Sequence, residues 1–434
     1  MKSIVIFAFV LTSLCLRAQP SNLKKLNAFI DYIEHHNRGR GALAIYKNGQ
    51  PVYSRRFGVA SDQVSKAPIT FQMGSITKLL TATLIFRLIE KGELRLTDTL
   101  ATFFPEIPNA TGITIQQLLE HTSGLGDYLL KKEDPFWLKQ PATEAQIKAE
   151  IIRQGSLFKP GQEVAYSNSG YYLLARIVEK KYQQPYDQVL AKEITEPLGL
   201  VHTASARAKP SNVAPSYQYK QGRWEKMQDL VFTNVVGVGD VASTPAELNQ
   251  LITAFFQHQL LRPMSVASMK PDPQRNMPGK GLEAIPFYNQ TFYGHAGDTY
   301  GTHALVGYNQ RDSVSIACVI NGERYPHNQF IVQVLTLFYG KDIQYPTFSP
   351  EVALAPKALK SFTGVYASPA IPLKLTIRRE GRLLTAQGTD QPRFFLEAYG
   401  PHAFRFEPEE ITIEFIGNQM LFKQGPEVIT LTKE

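Results

Sequence analysis

The chain has 434 residues, 43% hydrophobic and 19% charged, with a formal charge of +8 and a pI near 9.2. That composition is ordinary for a soluble globular protein and long enough for two domains, or for one large domain with an appendage. Lys and Arg are scattered, with no basic block interleaved with aromatics, which argues against a nucleic-acid partner, and two cysteines are too few for a disulfide framework.

Residues 1–18 read as an export signal. Met1-Lys2-Ser3 is a basic start, Ile4 to Leu16 is an apolar run too short to span a bilayer, and Ala18 offers cleavage before Gln19. Leu14 stands where a lipid-attachment signal at Cys15 needs a small residue. No later segment has the length and apolarity to cross a membrane, so a periplasmic or secreted protein is expected. Cys318, in the strand-like run Ser313 to Ile320, reads as a buried structural thiol.

Leu23 to His36 has helical periodicity, and Gly41–Lys47 and Pro51–Gly58 form a hairpin around Asn48-Gly49. A helix is expected from Ser75 to Lys91, stopped by Gly92. Thr114-x-x-Gln117 and Thr143-x-x-Gln146 are capping boxes for two short helices. Further helices are expected over Ser169–Tyr182, Pro185–Glu196, Thr244–His258 (threonine cap, proline first) and Phe330–Tyr339. Thr291–His295, His303–Asn309 and Val314–Ile320 read as strands. The pattern predicts an α+β domain over 19–344, a mixed antiparallel sheet flanked by helices with an all-helical insert. Pro346, Pro350 and Pro356 mark a linker at 345–358. Seven short alternating strands follow, Leu373–Ile377, Leu383–Gln387, Phe394–Ala398, Phe404–Glu407, Ile411–Ile416, Met420–Lys423 and Val428–Thr432. They predict a small all-β domain over 359–434, a lipocalin-like barrel or a sandwich.

The chemistry centres on Ser75-Ile76-Thr77-Lys78. Three residues apart on a helix, the hydroxyl and amine share a face. The positive end of the helix dipole favours the nucleophile and nudges the lysine toward its neutral, proton-accepting form. The same spacing at Ser21/Lys24 and Ser156/Lys159 lacks this context. Tyr166-Ser167-Asn168 supplies partners: alternation in an extended segment turns Tyr166 and Asn168 to one side. Neighbouring cations would lower the phenol's pKa toward use as a base, and Asn168 would donate to a substrate carbonyl and accept from Lys78. His295-Ala296-Gly297-Asp298 ends a strand. Gly297 permits close backbone approach, the N–H groups of Ser75 and Asp298 form an oxyanion hole, and His295 holds a substrate carboxylate or tunes Tyr166.

In this order, Ser75-x-x-Lys78, Tyr166-x-Asn168 and His295-x-Gly297 resemble the three motifs of the class C beta-lactamase and DD-peptidase group of serine hydrolases. Leu118 to Leu125 and Gly237-Val238-Gly239-Asp240 with Ser243-Thr244-Pro245 are similar to the same family, and the resemblance covers roughly residues 25–340. A histidine in the third motif looks like the peptidase and esterase branches. The resemblance implies acyl transfer through Ser75, with Lys78 and Tyr166 sharing acid and base roles. The substrates it implies are small peptides or esters, including peptidoglycan fragments, with beta-lactams as acylating mimics. An esterase on small acyl esters and a penicillin-binding sensor that never turns over are the alternatives.

Competing motifs fare worse. His121 reads as a structural cap for the turn at Gly124. His295 and His303, with Asp298 between them, hint at a metal, but the sequence has no His-Glu-x-x-His helix motif. Gly237-x-Gly239-x-x-Ala242 imitates a dinucleotide turn without the following acid. Neither a metal nor a cofactor is expected, and oligomeric state stays open.

Overall fold

Asn48 and Gly49, with φ of 51° and 74°, make the two-residue turn that joins strands Gly39–Lys47 and Gln50–Phe57. The computed structural model describes residues 21–58, 68–131, 137–389, 391 and 393–434, so the expected export signal lies outside the described residues. The main sheet runs in the order Gln50–Phe57, Gly39–Lys47, Val314–Glu323, His303–Asn309, Gln290–Asp298, Glu283–Phe287, all antiparallel neighbours. The short strand Tyr217–Lys220 adds a parallel contact at Gly322 and pairs with Arg223–Lys226.

Alternation along these strands separates two cores. Leu43, Ile45, Ile316, Cys318 and Ile320 face the terminal helices Ser21–His35 and His327–Phe338. Ala42, Val306, Ala317 and Val319 face the helical part, where Thr77–Glu90, Asn168–Tyr182 and Pro245–Phe256 pack. Cys318 is 1% exposed and burial raises its thiol to about 12, a structural group. Both threonine capping boxes form, and Thr244 accepts the Glu247 N–H ahead of Pro245. That helix stops at Phe256, two residues short of His258, which has φ of 62°.

The C-terminal unit is a closed antiparallel barrel. Eight strands build it, one more than the sequence suggested. The extra strand, Gly364–Ala367, pairs with both Leu375–Glu380 and Glu427–Lys433 and so closes the ring. With four residues, one of them glycine, it carries no readable alternation. Tyr366, Ile377, Leu384, Leu396, Phe404, Ile413, Met420 and Leu431 fill the interior. The proline-bearing connection is strapped to both units: Tyr345 and Phe348 pack on Tyr32, and Val352 N–H donates to Ala398 O at 2.8 Å. Arg324 grips Glu397 with two bonds of 2.7 and 2.6 Å, and Arg38 pairs with Glu407, so the barrel docks through largely buried ion pairs.

Candidate active site

The short strands Phe71–Gln72 and Val241–Ser243 hold the chain entering the site, and Met73 N–H donates to Val241 O at 2.9 Å. Ser75 sits in a 3-10 turn, Gly74–Ile76, and the α-helix begins at Thr77, two residues later than the sequence suggested. The i, i+3 relation survives. Lys78 Nζ lies 2.8 Å from Ser75 Oγ and donates to Val238 O at 3.1 Å, and the lysine side chain is wholly buried. Val238 belongs to the tight turn that imitated a dinucleotide motif, so that turn serves the lysine.

Burial pulls the Lys78 ammonium down from its usual range to about 7, with Asp127, Glu283 and Asp298 partly opposing. Tyr166 donates to the same Ser75 Oγ at 2.9 Å, and its ring lies 5.0 Å from Lys78 Nζ. Its phenol moves opposite to the sequence expectation. Desolvation of the hydroxyl end raises it, outweighing the Ser75 bond, and the carboxylates of Glu283, Asp127 and Asp298 push the same way. The phenol therefore stays protonated, although the residue as a whole is 46% exposed. Lys78, the cation over the ring, is itself drawn down to about 7 by burial.

Asn168 opens the helix Asn168–Tyr182, but its amide is committed elsewhere. Nδ2, the donor expected for a substrate carbonyl, donates to Asp127 Oδ2 at 2.8 Å, and Lys78 donates to Ser75 Oγ and Val238 O where a bond to the Asn168 oxygen was expected. Asp127 was not singled out from the sequence; its only cue is a place just past the quoted stretch ending at Leu125. His121 does not cap the turn at Gly124. It has φ of 58°, its Nδ1 accepts the Ser167 N–H at 3.1 Å, and its ring stacks on Tyr166 at 4.3 Å. Burial holds it neutral, at about 3, so it is a positioning residue for the tyrosine.

On the far wall, strand Gln290–Asp298 meets the serine turn without side chains between them. A Cβ on Gly297 would lie 2.0 Å from Met73 O and 2.8 Å from Ser75 N. A Cβ on Gly74, whose φ is 50°, would lie 2.7 Å from Asp298 N. Only a glycine pair permits this approach, and it sets the Ser75 and Asp298 N–H groups at one seam. His295 is buried beside Tyr166, its Nδ1 in contact with Ala296 O and 3.7 Å from Glu283 Oε1. Desolvation lowers its pKa against the pull of Glu283, so it offers no cation for a carboxylate.

Asp298 opens a second cluster. Its Oδ1 meets His303 Nδ1 at 2.6 Å, His303 Nε2 meets Glu323 Oε2 at 2.9 Å, and His327 Nδ1 meets Glu323 Oε1 at 2.9 Å. Burial works against the His303 charge, but the two carboxylates win and raise it to about 10. Asp298, His303 and His327 bring ligand atoms within 4.8 Å of one another, so His327 stands where the sequence suggested His295. Both ring nitrogens of His303 are taken by carboxylates, so these residues fit an ion-pair network better than a metal.

The chain is 27% identical over 251 residues to the penicillin-binding protein PbpX of Bacillus subtilis (strain 168), an alignment covering 57% of this chain and 62% of that one, under two thirds of its length. It is 25% identical over 295 residues to a teichoic acid D-alanine hydrolase of Staphylococcus aureus, covering 65% of this chain and 70% of that one. The D-amino acid amidase of Ochrobactrum anthropi SV3 shares the fold, with a TM-score of 0.66 at 20% identity over 74% of this chain and 99% of its own. The Beta-lactamase family profile fits residues 26–333, well over half of the sequence and all of the site just described, and this protein is therefore a member of the beta-lactamase family.

Proposed function

We propose that this protein is an exported serine hydrolase that works by acyl transfer through Ser75. The observation that carries the reading is the placement of Ser75 Oγ between Lys78 Nζ at 2.8 Å and the Tyr166 hydroxyl at 2.9 Å. Neutral Lys78 takes the serine proton as Oγ attacks an amide or ester carbonyl. The N–H groups of Ser75 and Asp298 receive the oxyanion, where one donor is worth about 3 kcal/mol. Tyr166, protonated and bonded to Oγ, relays a proton from Lys78 to the leaving group. Water then attacks the acyl-enzyme by the reverse relay.

The substrates follow the named activities of the relatives: amides and esters of D-amino acids, including D-alanyl groups on cell-envelope polymers. The apolar run before Ala18 supports export to the compartment where such polymers lie. The test is a serine-reactive fluorophosphonate followed by intact-mass and peptide mapping, alongside turnover of D- and L-amino acid p-nitroanilides. An adduct on Ser75, D-selective turnover and loss of both in Ser75→Ala are expected. Wild-type turnover in Ser75→Ala would refute the assignment.

A further inference from the structure

The proton donor to a leaving group must stand beside it, so the pocket that Tyr166 lines is the place the leaving group occupies. That pocket, of about 410 Å³, is walled by Tyr166, Tyr171, His295, Gly281, Leu282 and Glu283. Among its described lining residues Glu283 carries the only formal charge. His121 and His295 are both held neutral by burial, and neighbouring Lys280 is spent on Glu120 at 2.6 Å. A leaving group with a carboxylate therefore meets no cation here and one anion.

Glu283 is held in place. It starts the edge strand Glu283–Phe287, opposite Gly294, and beyond that pair the neighbouring strand's edge is open. Ala296 N–H and Asp298 N–H leave this edge on the same side, two residues apart. Glu283 Oε2 accepts the Ala296 N–H at 3.0 Å, while its side chain stays 43% exposed toward the pocket. Just before it, Gly281, with φ of 82°, presses on the catalytic helix: a Cβ there would lie 2.4 Å from Ala82 Cβ. The carboxylate thus stands on a rigid support about 7 Å along the strand from the oxyanion donor, the reach of one residue beyond the scissile bond.

We propose that Glu283 sets leaving-group specificity, excluding leaving groups that carry a carboxylate and admitting neutral or cationic ones. The enzyme is then an amidase or esterase of D-amino acid derivatives, and a free peptide C-terminus is a poor substrate. This rests on the acyl-transfer reading above.

The experiment compares kcat/KM for D-alanyl-D-alaninamide and D-alanyl-D-alanine, in the full chain and in Glu283→Gln. Glutamine keeps an acceptor for the Ala296 N–H, and the ratio within each variant cancels any loss of folded protein. Wild type should prefer the amide at least tenfold, and the variant should lose most of that preference. Equal or faster cleavage of the free carboxylate by wild type overturns the proposal and leaves the serine mechanism standing. An unchanged ratio in Glu283→Gln also overturns it. No cleavage of either substrate, with no fluorophosphonate adduct on Ser75, overturns the acyl-transfer reading and this inference with it.

Discussion

Lys78 should govern the pH dependence of the reaction. Full burial draws its pKa from 10.5 to about 7, against the pull of Asp127, Glu283 and Asp298. At neutral pH an unshifted lysine is roughly 0.03% free amine, whereas this one is about half, a gain in base of roughly a thousandfold. With a substrate that does not itself titrate, such as p-nitrophenyl butyrate, log kcat/KM should fall with unit slope below about pH 7 and level off above it. Asp127→Asn removes one of the charges that hold the lysine pKa up, so its acid limb should move to lower pH. Lys78→Arg cannot discharge and should lose roughly 10²–10⁴ in kcat. A flat profile through pH 7, or wild-type kcat in Lys78→Arg, would refute the assignment of the lysine as base.

The serine seam is equally open to test. In Gly297→Ala the new Cβ starts 2.0 Å from Met73 O, while ordinary contact begins at 3.4 Å, so the seam must open by about 1.4 Å. Parting the two oxyanion donors should cost roughly 10²–10³ in kcat, measured with an ester, and an unaltered kcat would show the hole lies elsewhere. The His303 cluster predicts a pH window for stability. His303 is raised to about 10, so its contribution is complete below its unfolded value of 6.5 and is lost as pH rises through about 10. Glu323 is lowered to about 2, so its share is present above 4.5 and is lost as pH falls through about 2. The alkaline fall in Tm should flatten in His303→Gln, and equal slopes in both proteins would count against the network. Arg324→Met removes both short bonds to Glu397, leaving it only Arg405 at 3.5 Å among the described residues, and should destabilise the barrel interface by about 3 kcal/mol or less, seen as an earlier unfolding step; an unmoved midpoint would mean the pair holds nothing.

What the sequence made legible was local. Asn48-Gly49, the threonine boxes and the Ser75 spacing each act within four residues, so their signals sit next to one another in the chain. The partners of the serine were legible only through order and resemblance. What stayed hidden depends on long-range packing. Asp127 reaches Asn168 across 41 residues, and Glu283 reaches Ala296 only because an edge strand begins opposite Gly294. The direction of the Tyr166 shift was misjudged for the same reason. It depends on how much water the fold removes and on three carboxylates brought in from elsewhere, neither of which a tripeptide reveals. Gly364–Ala367 was missed because its pairing, and nothing in its four residues, makes it a strand.

Asp298 carries two demands that pull against each other. Its N–H must hold still at the seam, yet its side chain is 64% exposed at the end of a strand, where fraying is cheap. The His303 bond resolves this, and His303 is itself fixed by Glu323, the last residue of strand Val314–Glu323. The next residue, Arg324, is the one the barrel grips through Glu397. Charge-assisted bonds therefore run from Asp298, the proposed oxyanion donor, through His303 to Glu323, one residue along the chain from the point where the C-terminal barrel docks. Such bonds are stronger than neutral ones and directional, so they transmit stiffness without supplying a reacting group. Lys78 and Tyr166, the side chains hydrogen-bonded to Ser75 Oγ, both lie in the stretch that matches the family, and the barrel connects to the site through this line of bonds.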